Sequence, residues 1–161
     1  MKKITFLEAM GHTAPQPMAL ICAPRPDGST NLATVAWWTY LDTEPDMIGF
    51  AMGKGSYTCQ LVSETGKAVI CLPGVDIADE VLKCGFVSGR EVDKAKEYNI
   101  ALTGDEQKYP VKSKVAFLCD VDREVIVGGC VFFICKVNEI HFDETQRHVY
   151  NIEGYHKLGA L

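Results

Sequence analysis

The sequence predicts a mainly β fold, a small barrel with inserted α-helices, and three observations lead there. Runs of strand length, apolar or alternating, recur along the chain; clusters of turn formers separate the first of them; helical periodicity is confined to short segments after the third run. The helices do not alternate one for one with strands, which speaks against a doubly wound parallel sheet. With 161 residues, 47% hydrophobic and 23% charged, the chain reads as one domain over 1–161.

Ala19 to Ala23 reads as a strand. Pro24-Arg25-Pro26-Asp27-Gly28-Ser29 should reverse the chain into a second strand, Asn31 to Tyr40, rich in β-branched and aromatic residues. Thr43-Glu44-Pro45-Asp46 then turns into a third strand, Met47 to Met52. Ser56 is a good N-cap for a helix whose Thr58, Leu61, Val62 and Thr65 share one face, and Gly66 is placed to end it in the left-handed conformation. Lys67 to Leu72 has the pattern of a buried strand, stopped by Pro73-Gly74. Asp76 should cap a second helix with Ile77, Val81 and Leu82 inward, ending at Gly85.

A weaker helical segment, Val92 to Tyr98, is polar enough to be a surface piece. Val115 to Val125 alternates, with Val115, Phe117, Cys119 and Val121 on one face. Val131 to Val137 is almost unbroken in its apolarity, suited to a strand buried on both sides. Glu139 to Thr145 reads as a loop and Arg147 to Ile152 as a last short strand.

Sixteen Lys and Arg against 21 Asp and Glu give a formal charge of −5, so no basic footprint argues for nucleic acid or an anionic membrane. No segment approaches the ~20 apolar residues that span a bilayer, and Glu8 interrupts the apolar residues after Lys2 and Lys3. A cytoplasmic protein is expected. The seven cysteines form no C-x-x-C pair and read as small core residues; Cys84, beside Gly85, is the one expected to be exposed. The four histidines lack metal-ligand spacing, so no metal is expected, and no Ser/His/Asp or G-x-S-x-G arrangement supports nucleophilic hydrolysis.

The chemistry concentrates between Asn31 and Thr58. Gly53-Lys54-Gly55-Ser56-Tyr57-Thr58 leads into a helix, whose first N–H groups lack intrahelical partners and whose dipole favours an anion. Lys54 adds a positive charge, and Ser56 and Thr58 add hydroxyls. A Walker A loop is excluded, because Gly49 to Gly53 is one residue too short and Gly55 stands where Ser or Thr must hold magnesium. The same residues also read as a plain glycine-rich turn with a surface lysine.

Trp37 and Trp38, adjacent on one strand, should face opposite ways, one into the barrel and one toward a ligand ring or a second subunit. Asn31 and Thr39 share parity with Trp37, although Asn31 also fits the end of the turn, and Thr34 lies between them. A phosphate-binding turn beside aromatic side chains suits a phosphate joined to a flat ring, as in a flavin nucleotide.

As an ordered set, Pro17-Met18-Ala19-Leu20-Ile21, Asp27 to Thr34, Trp37, the Pro45 corner, Lys54 to Thr58 and Ser88-Gly89-Arg90 with Asp93-Lys94 resemble the flavin reductase-like, FMN-binding split-barrel family, particularly its flavoredoxin branch. The resemblance implies a homodimer of Greek-key split barrels with one FMN per subunit near the interface. It implies that Asn31, Thr34 and Trp37 line the flavin, that Lys54, Ser56 and Thr58 hold its phosphate, and that Lys94 reaches the cofactor. A positive charge near the ring's N1 and O2 would stabilise reduced FMN, and Lys94 is one candidate for it. Relatives often carry Gly-Asp-His where this chain has Gly128-Gly129-Cys130, so a histidine contact is not expected.

By this resemblance no side chain acts as catalytic acid or base, the chemistry residing at FMN N5. The expected activity is transfer of hydride or electrons from NAD(P)H to flavin or a further acceptor. Two other readings stay open: an electron-transfer flavoprotein docking with a redox protein without NAD(P)H, and a barrel binding a small non-redox ligand. No G-x-G-x-x-G is present, which leaves the donor unspecified.

Overall fold

The computed structural model describes residues 1–153 and 156–161, and these are mostly β, 47% strand and 18% helix. A short helix α1 (Phe6–Gly11) leads into β1 (Gln16–Pro17), β2 (Ala19–Pro24), β3 (Thr30–Val35), β4 (Trp38–Thr43) and β5 (Asp46–Gly53). Helix α2 (Tyr57–Thr65), β6 (Lys67–Pro73), a 3-10 turn (Val75–Ile77), α3 (Ala78–Cys84) and α4 (Lys94–Glu97) follow. A long hairpin, β7 (Ser113–Val127) and β8 (Cys130–Phe142), precedes β9 (Tyr150–Glu153) and β10 (Lys157–Gly159).

Seven antiparallel strands form the main sheet in the order β3-β2-β6-β7-β8-β5-β4, and β1, β9 and β10 form a three-stranded one. The edge strands β3 and β4 are separated in sequence only by Ala36 and Trp37. Two residues cannot bridge the width of a flat seven-stranded sheet. The sheet is therefore rolled into a barrel, and the Trp37 carbonyl accepts from Ala51 N at 2.8 Å, which extends the β4–β5 ladder up to the seam. The expected continuous strand from Asn31 to Tyr40 is thus broken, because closure requires the chain to leave one edge and enter the other. Trp37 lies at the break and Trp38 begins β4.

Two apolar clusters occupy the two sides of the sheet. Phe50 and Phe133, fully buried, stack at 5.1 Å inside the barrel with Ile21, Ile70 and Cys119 around them. Leu20, Val69, Ala116 and Val81 pack outside it, under α3 and the segment reaching Ile100 and Tyr109. Strands β2 and β6 feed both clusters, which explains their continuous apolar runs.

Local signals resolve as expected where they are strongest. Ser56 Oγ accepts from Cys59 N at the start of α2, Gly66 ends it at φ 65°, and the turn after β2 closes with Arg25 N donating to Ser29 O, with Gly28 at φ 79°. Other expectations are corrected. Val131 to Val137 is not covered on both sides: Val131 to Cys135 alternates buried and half-buried positions, and Lys136 is exposed. The loop expected over Glu139 to Thr145 is confined to Asp143 to Thr145: β8 continues to Phe142 because Glu139 and His141 pair with Leu118 and Ala116. The strand expected over Arg147 to Ile152 starts later, as β9, with His148 in an isolated bridge to Gly74, and β10 follows it. Asp76 caps no helix; Gly74 stands at the N-cap of the 3-10 turn, and the Asp76 carboxylate faces Lys112 at 3.7 Å. Cys84 is buried, and burial pushes its thiol up to about 11.

Deleting a side chain from the barrel centre leaves a cavity the closed sheet cannot fill. Phe133→Ala should cost about 3–5 kcal/mol, whereas half-exposed Ile140→Ala should stay within about 0.5 kcal/mol. Equilibrium urea unfolding of the two variants measures both.

Candidate functional site

A cleft opens where the barrel seam meets α2 and α3. One end is an apolar chamber of about 410 Å³, whose walls include Met18, Val35, Trp37, Leu82, Phe86 and Leu158. The other is a more polar chamber of about 320 Å³ bounded by Ser56, Tyr57, Thr58, Ser88, Arg90 and Lys94. Thr34, Met52 and Gly85 line both chambers, so the two are ends of one continuous cleft.

Asn31 is buried on β3, not at the end of the turn, and its Nδ2 donates to Thr58 Oγ1 at 2.6 Å. Its Oδ1, equally buried, meets no donor in the protein. That oxygen crowds Gly89, where an added methyl would overlap it. A glycine at 89 therefore lets the loop after α3 settle over the cleft. Thr34 turns its hydroxyl to Val81 O and contributes its remaining surface to both chambers.

Trp37 is 48% exposed at the seam, with one side on the apolar chamber. Trp38 packs against the barrel core and donates its indole N–H to Pro17 O at 3.0 Å. The pair does separate as adjacent positions should, but through the break in the strand. Thr39 is exposed on β4, and its hydroxyl donates to Tyr40 O.

At the polar end, Ser56 and Thr58 occupy the first turn of α2. Because each hydroxyl oxygen already accepts a bond, each O–H proton remains to be donated. The N–H groups of Tyr57 and Thr58 have no intrahelical acceptor, so the helix start presents backbone donors and a positive dipole to the chamber. Lys54 is exposed, its backbone N–H donating to Gly129 O at 3.0 Å. It does not line the polar chamber.

Lys94 departs furthest from its sequence reading. It was expected in a polar surface piece, yet it is only 4% exposed at the start of α4. Its Nζ donates to Leu32 O and Cys84 O, both at 2.7 Å, which uses two of three ammonium protons. Burial, aided by the nearby Arg25 charge, holds its pKa below the ordinary lysine range. No ion pair involves it among the described residues.

Three side chains with no role assigned from the sequence complete this end. The guanidinium groups of Arg25 and Arg90 lie 5.5 and 5.2 Å from the centroid of the Tyr57 ring. Arg90 donates to Gly55 O and Gln60 Oε1, holding the loop after α3 against the start of α2. Arg25 donates to Gly89 O at 2.6 Å and Val92 O at 3.2 Å. The sequence signal for them was present only as Ser88-Gly89-Arg90 and the turn at Arg25, which do not announce a shared aromatic partner.

The arrangement can hold an elongated ligand, apolar and flat at one end and anionic at the other. A flavin nucleotide fits that description. The third Lys94 proton and the hydroxyls of Ser56 and Thr58 can donate to a ligand, whereas Asn31 lines neither chamber and its Oδ1 is buried against Gly89. No metal-holding group of His, Cys, Asp or Glu occurs among the described residues, and none of their helices is long and apolar enough to cross a membrane.

Comparison with known proteins points the same way. The family described as flavin reductase like domain matches residues 10–159. An uncharacterised protein of Archaeoglobus fulgidus is 30% identical over 110 residues, which are 66% of this chain and 62% of that protein. The match thus spans less than two thirds of that relative. Among solved structures, flavoredoxin from Methanosarcina acetivorans superposes with a TM-score of 0.82 at 18% identity, over 100% of this chain and 92% of that one. The FMN-binding protein from Thermus thermophilus superposes at 0.84 and 18%, over 99% and 94%. At such identities the two structures speak to the fold, and the sequence match speaks to descent: the chain belongs to the flavin reductase like domain family.

Proposed function

We propose that the protein is an FMN-binding oxidoreductase that passes hydride or electrons from NAD(P)H to flavin or to a further acceptor. The observation that supports this most directly is the cleft itself, an apolar chamber running into a helix start with a buried, unpaired ammonium group. One of the solved structures compared is an FMN-binding protein, which supports FMN as the flavin. Bound FMN would supply reversible two-electron chemistry at its ring.

The protein's own part is to bind and orient. Ser56, Thr58 and the first N–H groups of α2 hold the phosphate, with Arg90 adding charge at the rim. Trp37, Met52 and Phe86 shield the ring end from water, and Thr34 and Asn31 fix the span between. Lys94 places a positive charge at the cleft wall, where negative charge on the reduced ring is favoured. Lys54, outside the chamber lining, reaches the phosphate only by swinging inward, so its contribution is the smallest of this set.

A homodimer is part of this reading. Tyr40, Leu41, Val125, Ile126 and Val127 are exposed on β4 and the β7–β8 hairpin, near the half-exposed Trp37. The Phe132 ring and Leu41 cover Gly49 from outside, extending this apolar stripe across the sheet. A second copy covering it would also close the Trp37 side of the cleft.

Incubation with FMN and removal of free ligand should leave flavin absorption near one equivalent per subunit, and anaerobic NADH or NADPH should then bleach it. Bleaching only by a reduced redox protein would shift the reading to an electron-transfer flavoprotein; a colourless protein would overturn it. Lys94→Ala should weaken FMN binding by roughly 10-fold to 100-fold, the loss of one charge-assisted contact, and unchanged affinity in a folded variant would remove Lys94 from the site. Because an anion favours the protonated amine and burial lowers the Lys94 pKa, FMN affinity should fall as pH rises toward the lower edge of the lysine range. Lys94→Met should lack that dependence in fluorescence titrations. Light scattering should give twice the chain mass, and Val125→Asp with Leu41→Asp should reduce it to one.

A further inference from the structure

The polar end of the cleft has two walls, and one side chain joins them across the rim. One wall is the turn entering α2, Gly55 to Thr58; the other is the loop after α3, Val87 to Arg90. From that loop Arg90 reaches over the gap, its Nη1 donating to Gly55 O and its Nη2 to Gln60 Oε1, both at 3.1 Å. Its guanidinium lies 5.2 Å from the centroid of the Tyr57 ring, on the first turn of the same helix.

The loop keeps its place without Arg90. On its inner side Arg25 donates to Gly89 O at 2.6 Å and to Val92 O at 3.2 Å, and Gly89 is buried against Asn31 Oδ1. Within the loop, Glu91 N and Val92 N donate to Ser88 O, and Arg90 N donates to Ser88 Oγ. The two side-chain bonds of Arg90 are exposed, and bonds of that kind add little to stability. The bridge over the cleft therefore bears on what the cleft takes more than on how the loop folds.

Hydrogen-bond supply says what that is. Arg90 has five N–H groups and its anchors use two, so three remain at the rim. Deeper in, the hydroxyls of Ser56 and Thr58, the first N–H groups of α2 and the third Lys94 proton serve the same chamber. No Asp or Glu lines it among the described residues. A phosphate monoester, with three unsubstituted oxygens and a charge of about −1.5 to −2 near neutral pH, can use donors on every side, the rim included. In a diphosphate joining two nucleosides, one of those oxygens becomes a bridge that has to lead outward. The Arg90–Gly55 bond lies across that way out.

We infer that Arg90 is a clasp that ends the polar chamber. It adds donors for a terminal phosphate, and it must release Gly55 and Gln60 before a flavin can continue past its phosphate into a second nucleotide. Arg90 is thereby a specificity-determining residue, selecting a flavin mononucleotide, an assignment that rests on the flavin-binding function proposed above. Because both anchors are exposed neutral acceptors, the clasp sets a preference and not an absolute barrier.

Fluorescence titration with FMN and with FAD reads that preference. The parent should bind FMN at least about 10-fold more tightly than FAD, and Arg90→Ala should weaken FMN but not FAD, bringing the two within about 3-fold. Arg90→Lys keeps a charge but cannot fork across Gly55 and Gln60, so it should recover FMN affinity in part without recovering the preference. Gln60→Ala removes one anchor and no charge, from a residue outside the chamber lining; it should narrow the preference with FMN affinity held within about 2-fold. A parent that takes FAD as tightly as FMN overturns the inference. So does the pattern of a plain surface charge, in which Arg90→Ala weakens both flavins equally, Arg90→Lys restores both and Gln60→Ala changes neither. A parent that takes up neither flavin overturns the functional reading instead.

Discussion

The cleft depends on one buried ammonium group. Lys94 joins the start of α4 to Leu32 on β3 and to Cys84 at the end of α3, three segments with no mutual backbone ladder. Two charge-assisted bonds of about 1.5–3 kcal/mol each work against a desolvation cost of several kcal/mol for the ion. The carbonyls therefore make burial tolerable without neutralising the charge, and a ligand anion gains what the protein leaves uncompensated. The same lysine fixes the wall of the cleft and supplies its field.

Barrel closure supplies the other half of the geometry. With β3 and β4 on opposite edges of the sheet and only Ala36 and Trp37 between them, the seam is the one place where the strand ladder opens. Side chains there are released from the alternation of a strand, so Trp37 can border a cavity while Trp38 packs inward. The start of α2 reaches the same seam because β5, which pairs with β4, runs directly into Gly53 to Ser56. The apolar end of the cleft and its helix-start end are thus consecutive pieces of chain.

What could be read from the sequence was local. The Ser56 cap, the Gly66 stop and the turn around Gly28 each involve a few adjacent residues and formed as their chemistry requires. Ser56, Thr58, Asn31 and Thr34 were recognisable as polar groups near a turn and a helix start. What escaped was set by distant partners. Trp37 lies in an apolar run with no breaker, and only closure of a seven-stranded sheet interrupts it. Glu139 and His141 look like loop residues, yet a long partner strand holds them in β8. Lys94 sits among charged residues, and nothing nearby in sequence shows that the carbonyls of Leu32 and Cys84 meet it.

Arg25 and Arg90 illustrate how such distant partners hold charged groups without an ion pair to either among the described residues. Each anchors its guanidinium on backbone carbonyls, and both approach the Tyr57 ring, whose negative face tolerates cations as no aliphatic side chain would. Neutral acceptors spend little of the positive field, whereas an Asp or Glu in their place would cancel it. In a chain with a formal charge of −5, this is how the region around α2 keeps a local excess of positive charge. The field follows from which acceptors the fold supplies, not from the composition of the chain.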